Sequence, residues 1–262
     1  MSDMTFVPPP PPPPPPHATP APAVPPRNPN EFDFGKPFTF VFEDPLWVNK
    51  ILIGGLFQLA AVLLIGWPFV LGYCAKLARN VAAGMERPLP DWDDLGEYFA
   101  EGLRLIAVGI VYVIPFIALF AIFIIPSMAL TSTDNEAAQG LGAGLASCVW
   151  CLMVPISLAV MIFLPASMLF VSIERRFGAA FEFGRIWPFI KNNIGNYLLA
   201  IVVYLIADFV GGFGILLLCI GVVFTAFWAL MVKVHAFAQV YRIATLTPAP
   251  AATPTVSTIP AP

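Results

Sequence analysis

Long apolar runs constrain this chain more than any other feature. They lie at about residues 51–75, 105–130, 145–173, 197–210 and 214–234. A helix rises ~1.5 Å per residue, so about 20 apolar residues match the roughly 30 Å hydrocarbon layer of a bilayer. Only 11% of the residues are charged and 58% are hydrophobic. A soluble domain cannot bury so much continuous apolar surface, and the pattern therefore predicts an all-α, polytopic membrane protein whose last four runs are transmembrane helices.

The first apolar run, 51–75, permits two interpretations. Basic residues stand on both sides of it: Lys36, Lys50, Lys76 and Arg79. Basic residues favour the cytoplasmic side, and a single crossing cannot have both ends there. The run is therefore either a fifth span with an exported N-terminal tail or a re-entrant hairpin bent at 66–68. Pro68 removes a helix donor and disfavours helical backbone at Trp67, and arms of about 15 residues reach only ~22 Å.

Basic residues alternate between the later loops. Segments 76–104 and 174–196 each carry four Lys or Arg residues, whereas segments 131–144 and 211–214 carry none. The positive-inside rule places the two basic segments in the cytoplasm. The C-terminus is expected on the same side, because Lys233 lies at the end of the last run and Arg242 follows it.

The two ends of the chain differ from its middle. Residues 1–34 include an unbroken proline run at 8–16, and residues 246–262 are rich in Pro, Ala and Thr. Such segments lack the apolar content to fold, so two disordered tails are predicted around a helical membrane domain at 35–245. The proline run predicts a stiff polyproline II rod, which is either a spacer or a ligand for an aromatic-lined groove of a protein partner.

Segment 91–103 has the pattern of an amphipathic helix in the cytoplasmic interface. Asp91 is the expected N-cap, and Trp92, Leu95, Phe99 and Leu103 recur at helical spacing. The other faces are acidic, with Asp94, Glu97 and Glu101. Two interpretations are open: this face pairs with the basic residues of the other inner segment (Arg175, Arg176, Arg185 and Lys191), or it receives a basic protein partner. Segment 181–192 has the same aromatic character.

Around this segment the sequence resembles a known family. The resemblance rests on FEDPLW at 42–47, KILIGG at 50–55 and LPDWDD at 89–94, together with Gly72 and Gly102. These residues are similar to those of a family of prokaryotic integral membrane proteins that is known only as a domain of unknown function. The resemblance covers about residues 35–245. It implies a multi-pass domain in a prokaryotic cytoplasmic membrane, and it implies no activity and no functional residues.

Few polar residues lie inside the apolar runs. Asp208 is the only acid well inside one, and Gln58 is a second candidate polar residue. An intramembrane carboxylate is costly, which favours a proton relay or an ion ligand; a cap for the 211–214 turn is the alternative. No Lys, Arg or His in another span is expected to pair with Asp208. Pro115, Pro126, Pro155 and Pro165 predict kinks, which either line a transport path or are simply local.

The sequence predicts no catalytic, cofactor or metal site. Cys148 and Cys151 share a helical face, but metal binding would require further ligands, and His17 and His235 lie elsewhere along the chain. All four cysteines fit small buried hydrophobic residues. The net charge of −3 and the lack of a Lys/Arg cluster exclude nucleic acid as the expected partner.

Three functions compete on this basis. The first is a non-catalytic membrane scaffold or accessory protein that presents a cytoplasmic surface to a protein partner. The second is a small-solute or ion transporter, in which Asp208, Gln58 and the proline kinks would converge on one water-filled cavity. The third is an intramembrane enzyme, which would need a paired nucleophile and base that the sequence does not offer. The sequence favours them in that order and leaves the oligomeric state open.

Overall fold

The computed structural model describes residues 31–216 and 221–246. All regular elements in these ranges are helical, which confirms the all-α prediction. The α-helices are α1 (Lys36–Thr39), α2 (Trp47–Ala61), α3 (Trp67–Ala82), α4 (Leu95–Leu119), α5 (Ile125–Thr131), α6 (Glu136–Glu174), α7 (Phe183–Asn192), α8 (Ile194–Gly212) and α9 (Gly221–Leu246). Shorter turns of helix lie at Phe40–Glu43, Phe120–Ile124, Phe177–Phe181 and Phe213–Leu216. The predicted tails lie almost wholly outside the described residues.

Four helical stretches are long and apolar enough to cross a membrane, as predicted. They are Leu95–Thr131, Glu136–Glu174, Ile194–Leu216 and Gly221–Leu246. The first two contain 37 and 39 residues. At ~1.5 Å per residue they measure roughly 55 to 58 Å, well beyond a 30 Å hydrocarbon layer. They exceed the predicted runs because each helix continues without a break into a polar segment.

The first apolar run consists of two helices, not one. α2 ends at Ala61 and α3 begins at Trp67, with Pro68 in its first turn. In the connecting turn Leu64 has a positive φ of 65°. Gly66 packs so closely on the Phe57 carbonyl that a Cβ would overlap it. The chain therefore reverses just before the Gly-Trp-Pro sequence, which is the two-armed shape that the hairpin interpretation requires.

The core forms where α3, α4, α6, α8 and α9 meet. α3 crosses α4 at very short range, because Gly72 faces the Tyr98 carbonyl and Gly102 faces the Pro68 carbonyl. A Cβ on either glycine would overlap that carbonyl. Large side chains on α3, α8 and α9 fill the core: Tyr73, Tyr197, Phe227 and Met231 are fully buried. This packing brings segments 76–104 and 174–192 to one end of the bundle, called the charged end below.

At the opposite end the helices are much less buried. α5 packs on α6, with Gly142 against the Ser127 carbonyl, but most side chains on these two helices face outward. Exposed apolar residues here include Ile117, Ile122, Trp150 and Val154. A large exposed apolar surface marks contact with lipid or with another apolar partner.

Candidate functional site

Lys50 is the centre of a buried ion-pair cluster at the charged end. Its Nζ lies 2.7 Å from Asp44 Oδ2 and 2.9 Å from Asp91 Oδ1, and it donates to the Leu89 carbonyl at 3.1 Å. The Lys50 and Asp44 side chains are each only 8% exposed. Burial lowers the pKa of Lys50, but the hydrogen bonds to Asp44 and Asp91 outweigh that effect, and the net pKa is raised. The ammonium therefore stays charged and holds residues 44, 50 and 91 together.

Aromatic residues enclose this cluster. Trp92 donates from Nε1 to the Lys50 carbonyl at 3.1 Å, and its ring stacks on Tyr73 with centroids 4.3 Å apart. Tyr73 donates to the Pro90 carbonyl at 3.0 Å, and Tyr98 donates to the Asp91 carbonyl. Segments 42–47, 50–55 and 89–94 are thus joined by direct contacts.

The predicted N-cap at Asp91 is wrong. α4 begins at Leu95, and Asp94 caps it by accepting a hydrogen bond from the Glu97 N–H at 2.9 Å. Asp91 instead forms an ion pair with Lys50. The predicted interfacial helix is also not a separate element, since it is the first part of α4 and continues directly into the span.

Glu101 lies at the centre of a second cluster and is only 3% exposed. Its carboxylate oxygens lie 2.8 Å from Arg79 Nη1, 2.6 Å from Arg175 Nε and 3.3 Å from Arg104 Nη1. Glu97 adds ion pairs to Arg79 at 3.3 Å and to Arg175 at 2.9 Å. The cluster therefore ties together α3, α4 and the end of α6. The acidic face pairs with Arg175, as one interpretation predicted, whereas the sequence reasoning missed Arg79.

Arg176 and Arg185, two further basic residues of that inner segment, pair locally. Arg185 Nη2 lies 2.6 Å from Glu174 Oε1, and Arg176 lies 3.2 Å from Glu182. The hydrogen bond from Arg185 lowers the pKa of Glu182. Lys191 is exposed on α7. Of the four basic residues expected to meet the acidic face, only Arg175 reaches Glu97 and Glu101.

Asp208 has a partner within the bundle, contrary to the prediction. Its Oδ1 lies 2.6 Å from Lys233 Nζ on α9, and the Lys233 ammonium lies 4.7 Å from the centre of the Tyr204 ring. The sequence predicts Lys233 at the end of the last span. α9 instead continues to Leu246, so Lys233 lies near the middle of that helix.

A cavity of about 480 Å³ lies beside this ion pair, between α3, α4, α6, α8 and α9. Its walls are largely apolar, and Lys233, Tyr204 and Pro165 are among the lining residues. Gln58 lies on α2, outside the lining, and its buried Oε1 has no hydrogen-bond partner in the described part of the chain. The other three prolines do not line the cavity either. The transporter hypothesis requires Gln58 and the proline kinks to lie at this cavity, and of these residues only Pro165 does.

The three cysteines that the structure describes do not form a site. Cys74 is buried as predicted, but the prediction is wrong for Cys148 and Cys151, which are exposed on α6. Cys219 lies outside the described residues. Within ranges 31–216 and 221–246, no three His, Cys, Asp or Glu side chains are grouped closely enough to hold a metal ion.

Comparisons with known proteins identify a family. No curated protein and no solved structure matches the chain. The family described as "Protein of unknown function (DUF4013)" matches residues 55–245, well over half of the sequence. Asp44 and Lys50 precede the matched range, whereas Asp91, Glu101 and Lys233 lie inside it. The chain therefore belongs to the DUF4013 family of proteins of unknown function.

Proposed function

We propose that this protein is a non-catalytic scaffold or accessory protein of a prokaryotic cytoplasmic membrane, and that its charged end faces the cytoplasm. The four long apolar helices support insertion in the bilayer. The charged end contains segments 76–104 and 174–192, with four basic residues each, and basic residues favour the cytoplasmic side. The C-terminus lies on the same side.

The observation that carries this proposal is the pair of ion-pair clusters around Lys50 and Glu101. They join α2, α3, α4 and the end of α6 into one surface. Among the described residues, every ion pair except Lys233–Asp208 lies at this end. A surface already held in one geometry binds a partner with less loss of conformational entropy. The charged end is therefore suited to protein–protein recognition, and the proline-rich tail is a second place for a partner.

The same clusters support the re-entrant interpretation of residues 51–75. Lys50 lies near the start of α2 and Arg79 near the end of α3, yet both side chains belong to the charged end. The two arms thus leave and return to the same end of the bundle. In this topology the N-terminal tail lies in the cytoplasm, where a partner can reach its proline run.

Cysteine labelling tests the topology. A cysteine-free protein would carry single cysteines at positions 2, 135 or 253 (Ser2→Cys, Asn135→Cys and Thr253→Cys), and intact cells would be treated with a membrane-impermeant thiol reagent. We expect labelling of Asn135→Cys alone, and labelling of all three after lysis. Labelling of Ser2→Cys in intact cells would contradict the hairpin and indicate five crossings.

Photo-crosslinking tests the scaffold role. A photoreactive phenylalanine analogue would replace Phe177, which is exposed at the charged end, or Phe209, a more exposed phenylalanine near the C-terminal end of α8. We expect a discrete protein adduct from position 177 that position 209 does not form. The same adducts from both positions, or none from position 177, would argue against a cytoplasmic docking surface.

A transporter is the second candidate, and the 480 Å³ cavity beside the Lys233–Asp208 pair is the observation that favours it. Transport requires water in this cavity. In the cysteine-free protein, Ser157→Cys would then react with a water-soluble thiol reagent, because Ser157 lines the cavity. Leu158→Cys would not react, because this apolar position on the outer surface of α6 does not line the cavity. Equal protection of both positions would exclude a water-filled path.

A further inference from the structure

A second cavity, of about 510 Å³, lies at the charged end between α9, α1 and the C-terminal end of α3. Its size falls within the range of small-molecule sites, about 300–1,000 Å³. Unlike the first cavity, it is lined mainly by polar side chains: Lys36, Glu43, Glu86, Arg87, His235 and Arg242. Gln239 also lines it, and in the orientation that satisfies its amide this side chain pairs with the backbone of Asp33.

The cations of this cavity exceed its carboxylates. Lys36 is paired with Glu43 at 2.6 Å. Arg87 and Arg242 form no ion pair with any residue of the described ranges. Glu86 is the one carboxylate of the described lining besides Glu43, so two arginines face a single further negative charge. The Arg242 guanidinium lies over Gly84, where a Cβ would come within 3.0 Å of it, and Gly84 has a φ of 76°. The glycine that ends α3 therefore leaves room for this guanidinium.

His235 supplies the observation that points to a ligand. It is only 5% exposed and lines the cavity, and its Nδ1 has no hydrogen-bond partner among the described residues. The ring is held by stacking on Phe40, with centroids 4.3 Å apart. Buried polar atoms in proteins are nearly always paired, so an unpaired imidazole nitrogen on a residue that lines a polar cavity calls for a partner.

We propose that this cavity binds an organic phosphate. Arginine forks match phosphate oxygens in geometry and charge, and Arg87 and Arg242 are the two unpaired guanidinium groups of the cavity. His235 adds a hydrogen bond, and Glu86 accepts one from a hydroxyl or amine group on the body of the ligand. Because the cavity lies at the end predicted to face the cytoplasm, the phosphate belongs either to a phospholipid headgroup or to a soluble metabolite. This site is independent of the proposed scaffold role.

Thermal unfolding of the purified full-length protein tests the proposal and separates the two sources. The soluble probe is glycerol 3-phosphate, added to protein in a neutral detergent. The lipid probe is phosphatidylglycerol, compared with phosphatidylcholine alone in nanodiscs. The variants are Arg242→Gln and His235→Phe, of which the second keeps the aromatic stack on Phe40. Lys191→Gln is the matched control, because it removes one exposed cation from the same end.

We expect one of the two probes to raise the unfolding temperature of the parent protein and of Lys191→Gln. Each cavity variant should bind that probe at least about tenfold more weakly, because charge-assisted hydrogen bonds are the stronger ones. A response to glycerol 3-phosphate indicates a soluble phosphate, and a response to phosphatidylglycerol alone indicates a lipid headgroup. No response to either probe, or an equal loss in Lys191→Gln, would overturn the proposal. If His235→Phe fails to fold, Arg242→Gln decides the outcome.

Discussion

The guanidinium of Arg175, the residue just after α6, lies 2.6 Å from the carboxylate of Glu101 in α4. Arg175 follows the last residue of α6 and has a left-handed backbone, with φ of 56°. A non-glycine residue in this conformation carries a cost of about 1–2 kcal/mol. The ion pairs to Glu97 and Glu101 offset that cost, so the end of α6 is turned toward α4 by charge rather than by a glycine.

The first prediction concerns Glu101. The change Glu101→Gln leaves three arginines around a neutral side chain, and we expect it to lower the free energy of unfolding by about 3 kcal/mol. The measurement is denaturant unfolding of the detergent-solubilised protein. Asp93→Asn is the control, because Asp93 is 68% exposed and 3.6 Å from Lys76, and it should cost about 0–0.5 kcal/mol. Similar losses from both variants would mean that burial of Glu101 has no energetic consequence.

The second prediction concerns Lys50. The change Lys50→Met leaves the buried Asp44 carboxylate unpaired and should destabilise the protein by about 3–5 kcal/mol. Lys36→Met is the control, because the Lys36–Glu43 ion pair is more exposed, and it should cost about 0–1 kcal/mol. The pKa of Lys50 is raised above 10.5. Its contribution is thus fully present below that pH and is lost as the pH rises through the folded-state pKa. A deficit in Lys50→Met that disappears as the pH rises from about 7 to 9, below the Lys50 pKa, would contradict this assignment.

The third prediction concerns the crossing of α3 and α4. In Gly102→Ala the new methyl group overlaps the Pro68 carbonyl, so the helices must separate, and we expect a loss of about 3 kcal/mol or failure to fold. Size-exclusion chromatography of the detergent extract measures the fraction of monodisperse protein. Gly144→Ala is the control, since its Cβ meets nothing within 4 Å, and it should be neutral or stabilising by up to about 1 kcal/mol. A monodisperse Gly102→Ala protein of unchanged stability would show that the crossing is looser.

The fourth prediction concerns Asp208 and Lys233. The change Asp208→Asn leaves the Lys233 ammonium without its partner beside an apolar cavity. We expect a loss of about 1–2 kcal/mol, less than for a fully buried pair because Asp208 is 46% exposed. Adding Lys233→Met to Asp208→Asn should recover most of the loss in thermal unfolding. If the double variant is no more stable than the single one, the pair does not act as a unit.

Several features followed from local pattern. The lengths of the apolar runs predicted the four long helices, because the span a helix needs is set by bilayer thickness and rise per residue. A break in the first apolar run was predicted at 66–68, and it lies at 62–66, slightly earlier in the chain. Trp67, where Pro68 was expected to disfavour helix, is instead the first residue of α3, because proline is accommodated in the first turn of a helix. The pairing of Arg175 with the acidic face of segment 91–103 was one of the two interpretations that the sequence left open. Each of these depends on residues that are close in sequence or on a simple balance of charge.

Local pattern along the chain was enough to predict the helical class, the four long apolar helices and the end of the bundle where charges gather, because apolar length and charge position act locally. Which charges meet depends on the packing of the helices. Three sets of ion pairs depend on how the helices rotate and cross: Lys233 with Asp208, the arginines with Glu101, and Lys50 with Asp91. Those angles are set by close contacts such as Gly72 on Tyr98 and Gly102 on Pro68, which join residues distant in the sequence and leave no periodic signal in it.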